Sequence, residues 1–193
     1  MGRPREFDVE RALQQSMELF WTKGFKSTSF EDLTRTTRVK KQSLYCVFDD
    51  KRALFLKALA LYREHSIAVL EEVVAQDMSP LKKLEYICEL TLSHNDETLH
   101  KGCLMVNSAL EFGSDDEEVI REVELMFLEV EQILEKVIRS GQEQQVITTR
   151  YTSKELAAHL NNAILGAKVL EKSGASRDRI EAVLRTSFGL IAT

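Results

Sequence analysis

The chain has 193 residues, enough for one large or two small domains, and 44% of them are hydrophobic and 30% charged. No apolar run approaches the roughly 18 residues that a membrane-spanning helix needs, so we expect no membrane partner. The opening stretch MGRPREFD is polar and lacks the apolar core of a signal peptide, which favours a cytoplasmic protein.

The composition also predicts the fold class. There are only two prolines and no alternating runs of valine, isoleucine and threonine, which indicates an all-α protein. The three cysteines, Cys46, Cys88 and Cys103, are widely spaced and form no zinc or CxxC motif. We therefore expect no metal and no cofactor.

The charge is unevenly distributed along the chain. Residues 1–57 carry 12 basic and 8 acidic side chains, net +4, whereas the remaining residues carry 14 and 23, net −9. A basic head on an acidic body suits a protein whose head contacts phosphate, although acidic helices can also simply be solvated.

The first helix is predicted from a cap near Asp8 to Lys23. Arg3 and Arg5 precede it on a short arm, which either enters a minor groove of DNA or remains a free tail. Trp21 lies on the apolar stripe of this helix, and we interpret it as core rather than as a binding aromatic.

Residues 27–57 predict two short helices joined by a tight turn, followed by a long third helix. Thr28 and Glu31 are predicted to form a capping box at the start of the first short helix. The second, at roughly residues 40–47, has distinct faces, with Leu44 and Phe48 inward and Lys41, Gln42 and Tyr45 outward. A basic, polar and aromatic second helix is typical of the helix-turn-helix arrangement.

This segment, TSFEDLTRTTRVKKQSLYCVFDDKRALF, resembles the DNA-binding domain of TetR-type transcriptional repressors, and the similarity extends back through LFWTKGF to GRPREFD. It covers about the first third of the chain. Two positions depart from the family pattern, because Arg38 stands where glycine is usual and Lys40 where a small capping residue is usual. Either Arg38 adopts a left-handed backbone, at a cost of about 1 kcal/mol, or the turn has a different shape.

The resemblance implies an all-α architecture with two parts. Residues 6–66 would form an N-terminal three-helix DNA-binding domain, with its helix-turn-helix at about 28–47, and residues 67–193 a helical effector and dimerisation domain. The candidate DNA contacts fall into three groups: hydroxyls at the start of the first short helix, residues at the beginning of the reading helix, and two residues expected to bind the DNA backbone. They are Thr28 and Ser29; Lys40, Lys41, Gln42 and Ser43; and Tyr45 and Lys51. Lysine can donate to guanine and glutamine can pair with adenine, so residues 40–43 are expected to read sequence.

Beyond the head, a helix is predicted from Lys51 to about Ala75 and another from Pro80. His94 and His100, with nearby acids, lie in a polar joint that we interpret as a loop rather than a metal site, because a spacing of six places them on different helical faces.

The nearly apolar stretch 102–112 and the long helix after it supply candidates for an effector pocket: Cys103, Met105, Phe112, Met126 and Phe127. These side chains either line a cavity or belong to the core. Cys103 is a candidate electrophile or oxidant sensor, because Lys101 and a helix N-terminus favour its thiolate, or else a small buried hydrophobe.

Two further helices, the first opened by a capping box at Thr152 and Glu155, end the chain. The resemblance implies that they pair with their mates in a four-helix dimer interface, and the alternative is an extra core layer in a monomer. The candidate interface residues are Leu156, Leu160, Ala163, Ile164, Ala167, Ile180, Leu184 and Phe188.

The resemblance therefore implies a homodimeric repressor that binds double-stranded operator DNA and is released by a small-molecule or electrophile effector. The alternative is a helical ligand-binding or interaction protein that regulates no DNA. No nucleophile–base pair, metal motif or phosphate loop is recognisable, so we expect no enzymatic activity and no catalytic residues.

Overall fold

The computed structural model describes residues 7–92 and 101–192. Within those ranges the chain is helical, with no strand beyond one isolated bridge between Ile147 and Ala192, which confirms the predicted all-α class. The helices are α1 Val9–Lys23, α2 Phe30–Thr37, α3 Lys41–Phe48, α4 Lys51–Ala75, α5 Pro80–Leu92, α6 Leu104–Phe112, α7 Glu117–Glu143, α8 Ser153–Lys172 and α9 Arg177–Gly189. The Arg3–Arg5 arm and the His94–His100 joint lie outside the described residues.

Side-chain caps fix several of the helix starts that the sequence predicts. The Asp8 carboxylate accepts the Arg11 N–H at 2.9 Å, so α1 begins where expected. At α8, Thr152 and Glu155 form the predicted reciprocal capping box. The long helices α4 and α7 pack along each other, and α7 also packs against α8, so α4 spans from the N-terminal helices into the body.

The cap of α2 differs from the prediction. Ser29, not Thr28, is the N-cap, and its partner is Asp32 rather than Glu31: the Asp32 N–H donates to Ser29 Oγ at 3.1 Å and the Ser29 N–H donates to Asp32 at 3.0 Å. Thr28 is buried, and its hydroxyl donates to the Gly24 carbonyl at 2.6 Å. That hydroxyl is already engaged in the preceding turn, so the helix begins one residue later.

The turn between α2 and α3 has a left-handed backbone at Arg38, where glycine is usual in the family that the sequence resembles. Arg38 has φ 57° and ψ 23°, the left-handed conformation expected for this position. Helix α3 then begins at Lys41, one residue later than predicted, because Lys40 is extended and acts as N-cap without a side-chain hydrogen bond.

None of the helices within the described ranges is both long enough and apolar enough to cross a membrane.

Candidate nucleic-acid interface and internal cavity

Helix α3 presents a defined outer face because its inner face is anchored. Leu44 and Phe48 are almost wholly buried in the core of the N-terminal helices. Lys41 and Gln42, in the first turn of the helix, are exposed, as predicted. Burying two large apolar side chains of an eight-residue helix fixes its rotation, so the polar side chains have a fixed direction.

An aromatic cluster joins α2 to the exposed face of α3. The ring of Phe30 stacks on that of Tyr45, with centroids 4.5 Å apart and planes at 24°. The Lys41 ammonium lies 5.2 Å from the Phe30 centroid and 5.6 Å from the Tyr45 centroid. Sequence reasoning missed this contact, because its only signal is an aromatic residue at the start of a short helix.

Two of the candidate DNA contacts point inward. Lys51 donates from Nζ to the carbonyls of Phe25 and Thr28, both at 2.9 Å, and lies over the Phe25 ring at 4.1 Å. With the Thr28 hydroxyl held by Gly24, these two side chains shape the α1–α2 turn. Of the predicted set, the structure brings Lys40, Lys41, Gln42, Ser43 and Tyr45 together on α3 and its cap, and Ser29 at the start of α2.

An ion-pair network supports the start of α2. The Asp32 carboxylate accepts from Lys23 Nζ at 2.8 Å and also contacts Arg35. The hydrogen bond from Lys23, followed by those from Ser29, holds the pKa of Asp32 well below its usual range. The carboxylate therefore remains charged at the positive end of the α2 dipole, where it stabilises the helix.

A cavity of about 390 Å³ lies in the body between α1, α4, α5, α7 and α8. Cys103, Met126 and Phe127 line it, as predicted, together with Trp21 and Tyr62. Trp21 is therefore not simply core: its Nε1 donates to the Gly102 carbonyl at 3.1 Å and its ring meets Tyr62 edge-on.

Met105 and Phe112 do not line this cavity, which corrects their assignment to the pocket. Met105 is fully buried in the core. Phe112 packs against the rings of Phe25 and Phe55, at centroid distances of 5.2 and 5.5 Å, and so joins α6 to the N-terminal helices. The apolar spacing of α6 is the same for core and pocket positions, which is why the sequence could not separate them.

Reactive and polar groups converge at one end of the cavity. Cys103 is the N-cap residue of α6 and is buried beside the Tyr62 hydroxyl. Burial raises the pKa of Tyr62, and the neighbouring Cys103 raises it further. Burial lowers the pKa of Lys168, opposed by the Glu171 carboxylate 3.1 Å away. A thiol, a phenol and an ammonium thus face an otherwise largely apolar space.

The last turn of α6 is hydrogen-bonded to the turn between the N-terminal helices α1 and α2. The Glu111 carboxylate accepts the backbone N–H groups of Phe25 at 2.9 Å and Lys26 at 2.6 Å, and Lys26 Nζ donates to the Glu111 carbonyl at 2.9 Å. A Cβ on Gly24 would lie 3.0 Å from Glu111 Oε2, so only glycine fits comfortably there. Nothing in the sequence distinguishes Glu111 from other solvated acids.

Five of the eight residues expected at a dimer interface are buried within the chain itself. These are Leu156, Leu160, Ala167, Ile180 and Leu184. They belong to the core between α8, α9 and the rest of the body, so they expose little surface to a second copy. Ala163, Ile164 and Phe188 are only half-buried.

A different face of α8 and α9 is open to solvent and poor in charge. On α8 it comprises the exposed Asn162, Gly166 and Val169, with the half-buried Ala158 and Leu165 at its edge, and on α9 Ala182, Val183, Thr186 and Leu190. Val169 and Leu190 are 45% and 65% exposed. Both sets recur at helical spacing, so each forms a stripe along its helix.

Two family models match the chain. Residues 12–58 match the model of the bacterial regulatory proteins of the tetR family, and residues 80–187 match that of the tetracyclin repressor-like C-terminal domain. The second match alone spans more than half of the chain.

Similar proteins agree over nearly the full length. The transcriptional repressor ComR of Escherichia coli K12 is 27% identical over 191 residues, covering 98% of this chain and 91% of ComR. The regulator CifR, solved as a cysteine mutant with 26-bp double-strand operator DNA, is 26% identical with a TM-score of 0.83 and covers 98% of this chain and 100% of its own.

Reduced NemR of E. coli, 23% identical, has the same fold with a TM-score of 0.87 and covers 95% of this chain and 96% of its own. These relatives are transcriptional regulators and not enzymes. With both family models matched and the helix-turn-helix in place, the chain belongs to the TetR family of bacterial transcriptional regulators.

Proposed function

We propose that this protein is a repressor that binds operator DNA as a homodimer and is released when a small molecule or an electrophile occupies the cavity. The observation that carries the proposal is the exposed face of α3, where Lys41 and Gln42 project from a helix locked by buried Leu44 and Phe48. The similarity to a repressor and to a regulator solved on its operator supports the same assignment.

In this proposal residues 6–66 are the DNA-binding domain and residues 67–193 the effector and dimerisation domain. Lys40, Lys41, Gln42 and Ser43 read base edges, while Ser29 and Tyr45 contact phosphate. Thr28 and Lys51 act indirectly, by fixing the turn that presents α2. Such a protein works in the cytoplasm, where the DNA is.

The second copy is expected to pack on the open stripes of α8 and α9. Their exposed side chains are small or apolar, and a Cβ added at Gly166 would meet nothing within 4 Å, so a partner helix can approach closely. Two copies joined in this way would place two α3 helices in successive major grooves, about 34–36 Å apart.

The effector is expected to be a largely apolar molecule with an electrophilic or hydrogen-bonding group. The apolar part would lie along Met126 and Phe127, and the reactive group would meet Cys103 beside Tyr62. Burial raises the pKa of Cys88 to about 11, so that thiol is a poor competitor for electrophiles. A 100-fold loss of operator affinity requires only about 2.7 kcal/mol of coupling between cavity and head.

The test is anisotropy binding of the full-length protein to the DNA upstream of its own gene, at fixed salt, before and after treatment with N-ethylmaleimide. Cys46 is exposed on α3, where alkylation would block DNA contact directly, so every measurement uses a Cys46→Ser background. We expect tight, salt-dependent binding that alkylation weakens at least tenfold.

In a further Cys103→Ser variant, operator binding should persist and the response to N-ethylmaleimide should disappear. If alkylation weakens binding equally in that variant, the electrophile part of the proposal is wrong. If the untreated protein binds neither that DNA nor any duplex enriched from a random pool, the regulator itself is misassigned.

A further inference from the structure

The cluster of Phe30, Tyr45 and Lys41 links the two helices of the helix-turn-helix on the side that faces outward. Phe30 is the first residue of α2, and Tyr45 and Lys41 are four residues apart on α3. Lys41 is exposed, while both rings are half-buried. The contact is therefore not part of the sealed core, which at this point consists of Leu33, Leu44 and Phe48.

The geometry gives each ring a separate role. Phe30 covers one face of Tyr45, with centroids 4.5 Å apart and planes 24° from parallel, which fixes the plane of the tyrosine ring. The Lys41 ammonium lies within 6 Å of both centroids, inside the range of cation–π attraction. Cation–π attraction therefore favours this position of the ammonium over the other rotamers of a free lysine.

Holding these two side chains matters for binding DNA. Ordering a long, free lysine at an interface loses conformational freedom that a pre-ordered lysine has already lost. A tyrosine that must place its hydroxyl on a phosphate similarly gains if its ring plane is set beforehand. A shallow recess lined by Lys41, Gln42, Tyr45 and Cys46 lies directly beside the cluster, so the side chains remain accessible from outside.

We infer that Phe30 is a positioning residue for DNA recognition: it orients Tyr45 and, with it, holds the Lys41 ammonium on the reading face of α3. The inference rests on the proposed DNA-binding function and assigns a role to a residue of α2 that itself need not touch DNA. We therefore expect that removing the Phe30 ring impairs DNA binding only when Tyr45 and Lys41 are present.

The experiment uses the full-length protein and a duplex recovered by selection from a random pool with the wild type. Phe30→Leu keeps an apolar side chain but removes the ring face, and Phe30→Tyr keeps the ring. Tyr86→Leu, which removes an exposed ring on α5, is the control. We expect Phe30→Leu to weaken operator binding about three- to tenfold, and Phe30→Tyr and Tyr86→Leu to leave it within twofold.

A double-mutant cycle separates positioning from stability. In a Lys41→Met, Tyr45→Leu background the two partners are gone, so adding Phe30→Leu should cost less than twofold in affinity. The folded fraction of each variant is measured by circular dichroism at the binding temperature.

Equal losses from Phe30→Leu in both backgrounds, or unchanged binding in the wild-type background, would overturn the inference. Tighter binding by Phe30→Leu would do so as well, since it would mean that the rings withhold Lys41 from DNA. Failure of the wild type to enrich any duplex would instead count against the proposed function and is recorded before any variant is made.

Discussion

Arg38 adopts the left-handed backbone conformation that its turn requires, although arginine is not favoured there. Its φ of 57° lies in the region that glycine occupies freely and other residues occupy at a cost. The sequence correctly predicted where the turn lies, because the helix-turn-helix pattern fixes where the chain must reverse. What the pattern cannot show is that the exposed arginine tolerates the conformation without a change in the turn.

Replacing Arg38 with glycine is expected to stabilise the protein by up to about 1 kcal/mol, because the left-handed strain disappears and only part of that gain is lost to the freer unfolded chain. Urea unfolding monitored by circular dichroism measures the change. Arg121→Gly, the same substitution at an exposed position inside α7, should destabilise by about 1 kcal/mol. Destabilisation by both would show that Arg38 makes contacts worth more than the strain.

The cap of α2 illustrates what sequence cannot resolve at this scale. Thr28 and Ser29 are adjacent hydroxyl residues, and Glu31 and Asp32 are adjacent acids, so two capping boxes fit the same pattern one residue apart. Burial of Thr28 and its bond to Gly24 decide between them, and both depend on how α1 ends. Local patterns predict that a cap exists, whereas tertiary packing selects its register.

At the scale of elements, α6 spans from the cavity to the DNA-binding head. Cys103 caps its first turn, and Glu111 in its last turn holds the turn after α1. A nine-residue helix is about 13 Å long, so a single short element contacts both the cavity and the turn after α1. Sequence analysis found the helix and its cysteine but not the glutamate, because its partners are backbone N–H groups more than 80 residues away.

Glu111→Ala should loosen the α1–α2 turn. Two charge-assisted hydrogen bonds are lost, one to the partly buried N–H of Phe25 and one to the exposed N–H of Lys26, and we expect a destabilisation of about 1–2 kcal/mol. Hydrogen exchange at the amides of Phe25 and Lys26 should accelerate more than exchange in the core of α7. Glu124→Ala, an exposed acid on α7, is the matched control. Unchanged exchange at the two amides would show that the carboxylate contributes nothing to the turn.

Ion pairs between α4 and α7 predict how stability depends on pH. Arg52 donates from Nε and Nη2 to the Asp116 carboxylate, both at 2.8 Å, and this hydrogen bonding is the main reason that the pKa of Asp116 is lowered to about 2. A carboxyl that is more acidic in the folded state stabilises it above the unfolded pKa of about 4. That contribution is lost as the pH falls from about 4 towards 2.

Asp116→Asn should therefore flatten the acid limb of the stability curve. The amide can still accept the Val119 N–H as the cap of α7, so the helix start is retained while the charge is removed. Urea unfolding between pH 5 and pH 2.5 should show a smaller loss of unfolding free energy for the variant than for the wild type. Asp77→Asn, in the α4–α5 connection, provides the control, and identical curves for wild type and Asp116→Asn would contradict the prediction.

At the scale of the whole molecule, the sequence predicted elements better than their mutual arrangement. The cavity is formed by five helices, so the side chains on its wall depend on how those helices cross. Cys103, Met126 and Phe127 line the cavity because they lie on faces that point inward. Whether an inward-facing side chain lines the cavity or is packed in the core depends on how the helices assemble. Met105 is packed in the core.

The arrangement of the last two helices, α8 and α9, was also hard to predict from the sequence. Both are apolar on two faces, and the wider stripe, with Leu160 and Leu184, was assigned to a partner although it forms the core. Because a single chain must first cover its own core, the larger and more continuous apolar face is the one that folding buries. The narrower, small-residue face stays open, and in the proposed dimer it is the face available to a second copy. This ordering could have been applied to the sequence alone.

Two substitutions test that ordering. Val169→Arg places a charge on the open stripe of α8, so we expect a folded monomer with lost operator affinity. Leu160→Ala empties a fully buried site, so we expect a less stable chain, by about 2–5 kcal/mol, that still associates when folded. Tyr86→Arg on α5 should change neither property. Sedimentation velocity gives the oligomeric state and urea unfolding the stability; a dimeric Val169→Arg variant would place the interface elsewhere, because an unpaired buried guanidinium cannot be accommodated between two close helices.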